Sequence, residues 1–395
     1  MNIKYRLGGY ESTVLLSCTL AFFVTAFGRL ALSPLVPQIT ATFGLSNAAI
    51  GVALTGMWAA YSATQFPSGL LADRYGEKVI VLIALAGTGV ASLAVAFAPT
   101  YPVFVFGAVL LGAVGGLHYS AATALLSRTY ENIGMAIGVH NIGMPAGGVI
   151  APAIASWVGV RYGWRPAALL VLGTAVPVLA LFALKVRSRE PPAPGDPIRK
   201  KINLEQIGSI LSSPPAVFTV CLGIISMFVA IGLFTFVPTF LVKYSGYGTK
   251  VAGGIFAAFF VLLVPLQVAI GYISDIVGRD LTLAGCFVAG WGGIQLLLFE
   301  SSRVSLAVAL GLVALGSSSV PVIDSRLVDQ FSGNDVGMEF GLLRAIYGLI
   351  GGLGAGVVGA LADLFSWAVS FGFLAGISLL TAFAVCLNRY LSLGY

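Results

Sequence analysis

Two arginines stand where arginine is expensive. Arg29 and Arg344 fall inside long apolar runs of the 395-residue sequence, and a guanidinium in such surroundings must find a carboxylate, carbonyls, water or an anionic ligand. Arg29 lies about nine residues, or roughly 13 Å of helix, from the polar end of its run at Gln38. Extending the side chain toward the surface covers only part of that depth. Every Asp and Glu except Asp324 falls in a loop or within about a turn of the end of a run, so two buried cations face one candidate counter-charge. One compensation is an anion brought by a ligand and held by guanidinium forks that match carboxylate or phosphate. The other is an Asp324–Arg344 pair, with Arg29 satisfied by carbonyls and water. The residue types alone leave both open.

His118 and His140, the only histidines, lie in the same kind of run. Either can carry a proton near neutral pH or contact a ligand, or simply hydrogen-bond a neighbouring helix. Tyr119, Asn141 and Tyr347 lie close in sequence to His118, His140 and Arg344 respectively and offer groups that orient a small polar solute. Trp58, Tyr61, Phe234 and Phe236 supply candidates for an apolar wall.

The elements that must position these residues follow from composition. Hydrophobic residues make up 58% and charged residues 9%, against about 25% charged in soluble domains, which excludes a soluble fold. About a dozen apolar runs of membrane-spanning length sit near 13–38, 46–70, 79–98, 102–126, 134–158, 166–184, 215–241, 250–273, 281–299, 304–325, 337–360 and 367–388. The first run is too long for a secretory signal core and lacks a small-x-small cleavage site, so it reads as a retained helix with the N-terminus inside. On that assumption 14 Lys and Arg fall on the cytoplasmic side and 5 outside, with Arg29 and Arg344 within helices. This bias puts both termini in the cytoplasm of a multi-pass inner-membrane protein. It also accounts for the net charge of +6 without nucleic acid as a partner. The four cysteines lie in apolar stretches without metal-like spacing. No metal or cofactor is expected, and no nucleophile–base pair suggests an enzyme.

The 50 glycines are scattered through apolar runs, as in closely packed membrane helices. Gly348, Gly352, Gly356 and Ala360 repeat every four residues, as do Gly143, Gly147, Ala151, Ala155 and Gly159. Such stripes suit close packing, and equally a smooth surface along which helices of opposite halves slide.

The chain also repeats itself. Gln65, Gly69, Asp73 and Gly76 recur 202 residues later as Gln267, Gly271, Asp275 and Gly278; Gly134, Met135, Gly138 and Trp164 recur 203 residues later as Gly337, Met338, Gly341 and Trp367. This predicts an all-α membrane fold of twelve transmembrane helices in two pseudo-symmetric six-helix bundles, the architecture of secondary transporters. The domains would be 1–184 and 214–395, joined by a proline-rich basic linker over 185–213, with a short amphipathic helix near 203–212. Arg29 aligns with Leu233 in the second half. The site should therefore be polar on the N-terminal side and greasier on the other. That suits a small organic anion with an apolar part, such as a monocarboxylate, and suits a sugar poorly.

The segment Gly69-Leu-Leu-Ala-Asp73-Arg74-Tyr-Gly76-Glu-Lys78 resembles the signature loop of the major facilitator superfamily, and Gly271-Tyr-Ile-Ser-Asp275-Ile-Val-Gly278-Arg279 is similar to its weaker second copy. Gly163-Trp164-Arg165 and Gly112-x-x-Gly115-Gly116 fit the same family. The resemblance covers essentially the whole chain. It implies a monomeric secondary transporter in which the first, fourth, seventh and tenth helices line a cavity, and in which Asp73 and Asp275, with Arg74 and Arg128 as partners of the former, latch the cytoplasmic side. There are departures: Glu77 stands where a basic residue is commoner, the fourth helix lacks the usual arginine, and Gly143-Met-Pro145 only partly matches the motif of family exporters. The expected activity is transport of a carboxylate-type anion by proton symport or anion exchange, through Arg29, His118, Tyr119, His140, Asn141, Arg344 and Tyr347. A proton-coupled exporter of amphipathic drugs or metabolites is the alternative, and a solute sensor built on the same fold is a third.

Overall fold

The computed structural model describes residues 9–131, 133–192, 194, 213–299, 302–330 and 336–391, without the side chains of 336–339. Most of the linker, including the helix expected over 203–212, lies outside the described residues.

The first half holds six spans. The first, α1, is Tyr10–Leu30 continued through a 3-10 turn, Ser33–Leu35, into Val36–Phe43; α2 is Asn47–Tyr75, α3 Glu77–Ala96 and α4 Tyr101–Ser127. In α5 the pieces Ile133–Asn141 and Gly143–Tyr162 join, and α6 is Trp164–Lys185. The second half repeats the order: α7 Pro214–Lys243, α8 Thr249–Val277, α9 Arg279–Leu298, α10 from Arg303–Ser317 and Ser319–Val328, α11 from Val336–Gly351 and Gly354–Leu364, and α12 Trp367–Tyr390. The described chain is all-helical and forms two six-helix bundles, as the repeat predicts.

Eleven of these spans are long and apolar enough to cross a bilayer by composition alone, and α2 is the one that is not. Its polar face explains the difference. Thr64 donates to the Ala113 carbonyl (2.8 Å), Ser68 to the Leu117 carbonyl, and Ser120 returns a bond to the Gln65 carbonyl (2.8 Å). These bonds staple α2 to α4 where no water competes. Both copies of the signature loop turn on a glycine with positive φ, Gly76 at 92° and Gly278 at 98°, a conformation that disfavours any side chain.

The halves meet mainly along α2–α11 and α5–α8. The small-residue stripe of α11 faces this seam: a Cβ on Gly348 would press on Ser62, and one on Gly356 would come 3.2 Å from Thr55 Oγ1. The α5 stripe instead packs within its own half, Gly143 and Gly147 against the α1 backbone. Only the first stripe therefore lies at the seam between the halves. At the end remote from the described termini the seam is closed by polar bonds. Asp363 at the end of α11 accepts from Asn47 N (3.1 Å), Asn47 Nδ2 (2.6 Å) and Ala48 N (2.6 Å) at the start of α2, where the helix dipole favours a carboxylate. Thr55 Oγ1 donates to the Gly352 carbonyl (3.0 Å) and accepts from Gly356 N (2.9 Å), and Ser33 Oγ donates to the Thr235 carbonyl (2.9 Å).

The opposite end explains the acidic departure in the loop. Glu77, only 2% exposed, meets Arg128 Nη1 at 2.7 Å. In the second copy Arg279, 202 residues on, takes the carboxylate of Asp329 at 3.1 Å, and Arg326 meets Asp280 at 2.9 Å in the same sense as the first copy. Each half thus ties the start of its third helix to the end of its fourth by ion pairing. Arg128→Ala strands the Glu77 carboxylate and should cost about 3 kcal/mol, read as a lower melting temperature. The charge-reversed double variant Glu77→Arg/Arg128→Glu should recover most of it. A double variant no more stable than the worse single one would contradict the pairing.

Candidate functional site

A cavity of about 300 Å³ lies between the halves, a size suited to a small organic solute. Phe22, Trp58, Tyr61, Gln65, Tyr119 and Asn141 line it from the first half; Gln267, Asp324, Arg344 and Tyr347 supply its polar face from the second. Local breaks in the helices position the second set. The α10 helix restarts at Ser319 after Ser318 departs from helical geometry, which brings Asp324 to the wall. Arg344 and Tyr347, three residues apart, share one face of α11.

Arg344 Nη1 lies 3.4 Å from Asp324 Oδ2, and the Tyr347 hydroxyl donates to Asp324 Oδ1 in a short bond. The Tyr347 ring rests against Gly223 of α7, where a Cβ would come 2.9 Å from the ring. The guanidinium of Arg344 also faces the Tyr119 ring, 5.5 Å from its centroid, which links the two halves across the cavity.

Arg29, His118 and His140 do not line this cavity. Arg29 is 3% exposed and stacks on Tyr61, 3.8 Å from the ring centroid, with Trp58 at 5.7 Å. Its Nη1 fills a slot against Gly115 of α4, where any Cβ would collide with it. Nε and Nη1 of Arg29, and both ring nitrogens of His118, have no hydrogen-bond partner among the described residues. The two histidines lie 5.2 Å apart, and Phe22 stacks on His118 at 5.6 Å and on His140 at 5.1 Å. This cluster sits behind the aromatic wall. The structure thus brings together Tyr119, Asn141, Arg344 and Tyr347 around the cavity and holds Arg29, His118 and His140 one layer back.

That arrangement corrects the expected asymmetry. The charged face comes from the second half and the aromatic face from the first, because Arg29 is retracted behind Tyr61 while Asp324 and Arg344 reach the wall. Of the other aromatics, Trp58, Tyr61 and Phe234 line the cavity, whereas Phe236 is fully buried and packs on Trp367 at 5.6 Å. Gln65 and Gln267 are site residues that sequence reasoning missed. Their recurrence 202 residues apart was the available signal, because a polar side chain repeated at one depth of both halves lands on both sides of the central cavity. Arg128, an expected partner of Asp73, is bonded to Glu77 and to the Glu190 carbonyl; the guanidinium of Arg74 lies 5.2 Å from the Tyr75 ring, and Asp275 pairs with Arg279 at 2.5 Å.

A family model described as Major Facilitator Superfamily matches residues 18–265 and 249–392. The chain belongs to the major facilitator superfamily. Members of this superfamily are transporters and not enzymes, and the protein is accordingly a multi-pass membrane transporter. Among curated proteins it is similar to the Transcription regulatory protein OpdE of Pseudomonas aeruginosa, 26% identical over 94% of this chain and 93% of that protein. It is also similar to the hexuronate transporter of Bacillus subtilis, 24% identical over 89% and 87% of the two chains. Among solved structures, that of the D-xylose-proton symporter superposes with a TM-score of 0.78 at 17% identity, covering 95% of this chain and 97% of that one, which shows a shared fold.

An unpartnered buried guanidinium makes a poor stabiliser. Arg29→Met, similar in volume and apolar, should therefore melt no lower than the parent protein in a detergent thermal-unfolding assay. A loss of about 3 kcal/mol, the size expected for breaking a satisfied buried pair, would show that Arg29 is held by partners of its own.

Proposed function

We propose that this major facilitator protein carries a small organic anion of the carboxylate type across the cytoplasmic membrane by alternating access, with proton symport or anion exchange as its energy source. The observation that carries the reading is the charge balance at the cavity: two guanidiniums, Arg29 and Arg344, flank Tyr61 and its neighbours, while Asp324 is the one carboxylate among the lining residues. Arg344 and Asp324 balance at the wall, so the excess positive charge that would attract an anion is that of Arg29, one layer behind Tyr61. Arg344, beside Tyr119, Asn141 and Tyr347, receives the carboxylate. Arg29, with His118 and His140 behind it, contributes a fixed positive charge through the Tyr61 ring and direct contact when that ring turns. The resemblance to a hexuronate transporter agrees with a carboxylate-bearing solute.

In this reading residues 1–184 and 214–395 are the rocking bundles, 185–213 tethers them, and both termini are cytoplasmic in a monomeric inner-membrane protein. The bonded seam at the remote end then closes the outer side. Asp73, Arg74, Arg128 and Asp275 form the latch of the inner side, whose role belongs to the conformational cycle and not to binding.

The second reading is a proton-coupled exporter of amphipathic drugs or metabolites. Asp324, facing the aromatic side of the cavity, favours it, since a carboxylate there would hold a cation.

Reconstituted protein should take up radiolabelled glucuronate or benzoate saturably. Arg344→Gln should lower uptake about tenfold or more, the effect of losing a charged hydrogen bond. Arg29→Lys should lower it as well, because the planar fork is lost. Undiminished uptake by Arg29→Ala would remove Arg29 from the anion site. Asp73→Asn should slow transport severalfold with equilibrium binding nearly intact; equal loss of both would contradict the latch.

A further inference from the structure

Away from the central cavity, the outer face of the second half carries a second concave surface. An apolar groove of about 440 Å³ runs between α7 and α12, with Phe218, Ile225 and Phe228 on one side and Phe373, Leu380 and Ala384 on the other. Phe373, Leu380 and Ala384 are exposed, so the groove opens toward the surrounding bilayer. At one end the rings of Phe228 and Phe373 meet edge to face at 6.2 Å and close it. From Phe218 to Phe228 it follows roughly 15 Å of helix. That is half of a hydrocarbon core about 30 Å thick, the depth of one leaflet.

The other end of the groove opens onto a polar pocket of about 420 Å³ at the end of the molecule that holds the described termini. The two are continuous: Pro215 lines the pocket and Phe218, one helical turn on, lines the groove. The guanidinium of Arg326 lies 5.4 Å from the centroid of the Phe218 ring. Three arginines and two aspartates line the pocket. Arg279 is held by Asp329 at 3.1 Å and, from outside the lining, by Asp275. Arg326 is held by Asp280 at 2.9 Å and by the Thr219 hydroxyl. Arg389, exposed near the end of α12, has no ion pair or hydrogen bond to another described residue.

We infer that this surface is a binding site for one anionic phospholipid, with the phosphate on Arg389 at the mouth of the polar pocket and an acyl chain along the α7–α12 groove. Each part selects against a simpler occupant. A free phosphate on one exposed guanidinium gains little in water, whereas an acyl chain in the groove adds buried apolar area. A zwitterionic lipid fills the groove equally but brings no net charge to answer Arg389. Basic pockets at the end of membrane helices hold anionic headgroups by the same electrostatics. In the orientation proposed above, the lipid belongs to the cytoplasmic leaflet. The site is separate from the transport cavity and does not depend on what the cavity carries.

The test is native mass spectrometry of the full-length protein in detergent, titrated separately with phosphatidylglycerol, phosphatidylcholine and inorganic phosphate. The expected result is one phosphatidylglycerol retained about tenfold or more tightly than phosphatidylcholine, the effect of one charged hydrogen bond. Arg389→Gln should bring phosphatidylglycerol down to the phosphatidylcholine level, while Arg303→Gln, at the opposite end of the second half, should leave it unchanged. Ala384→Trp, which fills the groove, should weaken retention of both lipids, with a melting temperature close to the parent's showing that the variant folds. Equal retention of the two lipids, or of phosphatidylglycerol by the parent and Arg389→Gln, would overturn the inference. So would phosphate binding that depends on Arg389 together with lipid retention unaffected by Ala384→Trp, which would assign the pocket to the free ion. A lipid-free dimer disrupted by Ala384→Trp would assign the face to a second copy of this chain and overturn it as well.

Discussion

The cost of a charge in a low-dielectric interior organises this molecule. A guanidinium removed from water is tolerated only where something answers it, and the two deep arginines are answered in different ways. Arg344 has an ion pair, a neighbouring tyrosine and access to a cavity. Arg29 has an aromatic face and a slot shaped by Gly115, with two of its nitrogens unbonded. The architecture around them keeps one arginine at the wall and the other behind it. The aromatic layer of Phe22, Trp58 and Tyr61 separates the histidines and Arg29 from the solute space.

The same economy governs the seam between the halves. Glycines on α11 allow α2 to approach until side-chain hydroxyls reach main-chain groups, so the seam combines close packing with a few directional bonds. These bonds cluster toward one end, at Asp363, Thr55 and Ser33. The ion pairs at the opposite end, Glu77–Arg128 and Arg279–Asp329, each join helices of one half. They stiffen each bundle as a body.

Much of the fold was legible in the sequence, since apolar runs of bilayer length and two constant offsets leave little freedom. The span least visible by hydropathy, α2, is the one whose polar residues are bonded to α4. The site was only partly legible. Depth along a helix follows from counting residues, so Arg29 and Arg344 were both found, and Asp324 stood out as the sole deep acid. Rotation about the helix axis does not follow from counting. It decides that Arg344 reaches the cavity and Arg29 does not, and that the charged face belongs to the second half. Gln65 and Gln267 were read as marks of duplication when their shared depth also made them wall residues.

The proposed solute is an anion. The most direct test is thermal stabilisation of the purified protein by a panel of small carboxylates, phosphates and lipophilic cations at one pH. A ligand that binds only the folded state raises the melting temperature with its concentration. Stabilisation by carboxylates, abolished in Arg344→Gln, is the predicted result; stabilisation by cations alone, abolished in Asp324→Asn, would contradict it.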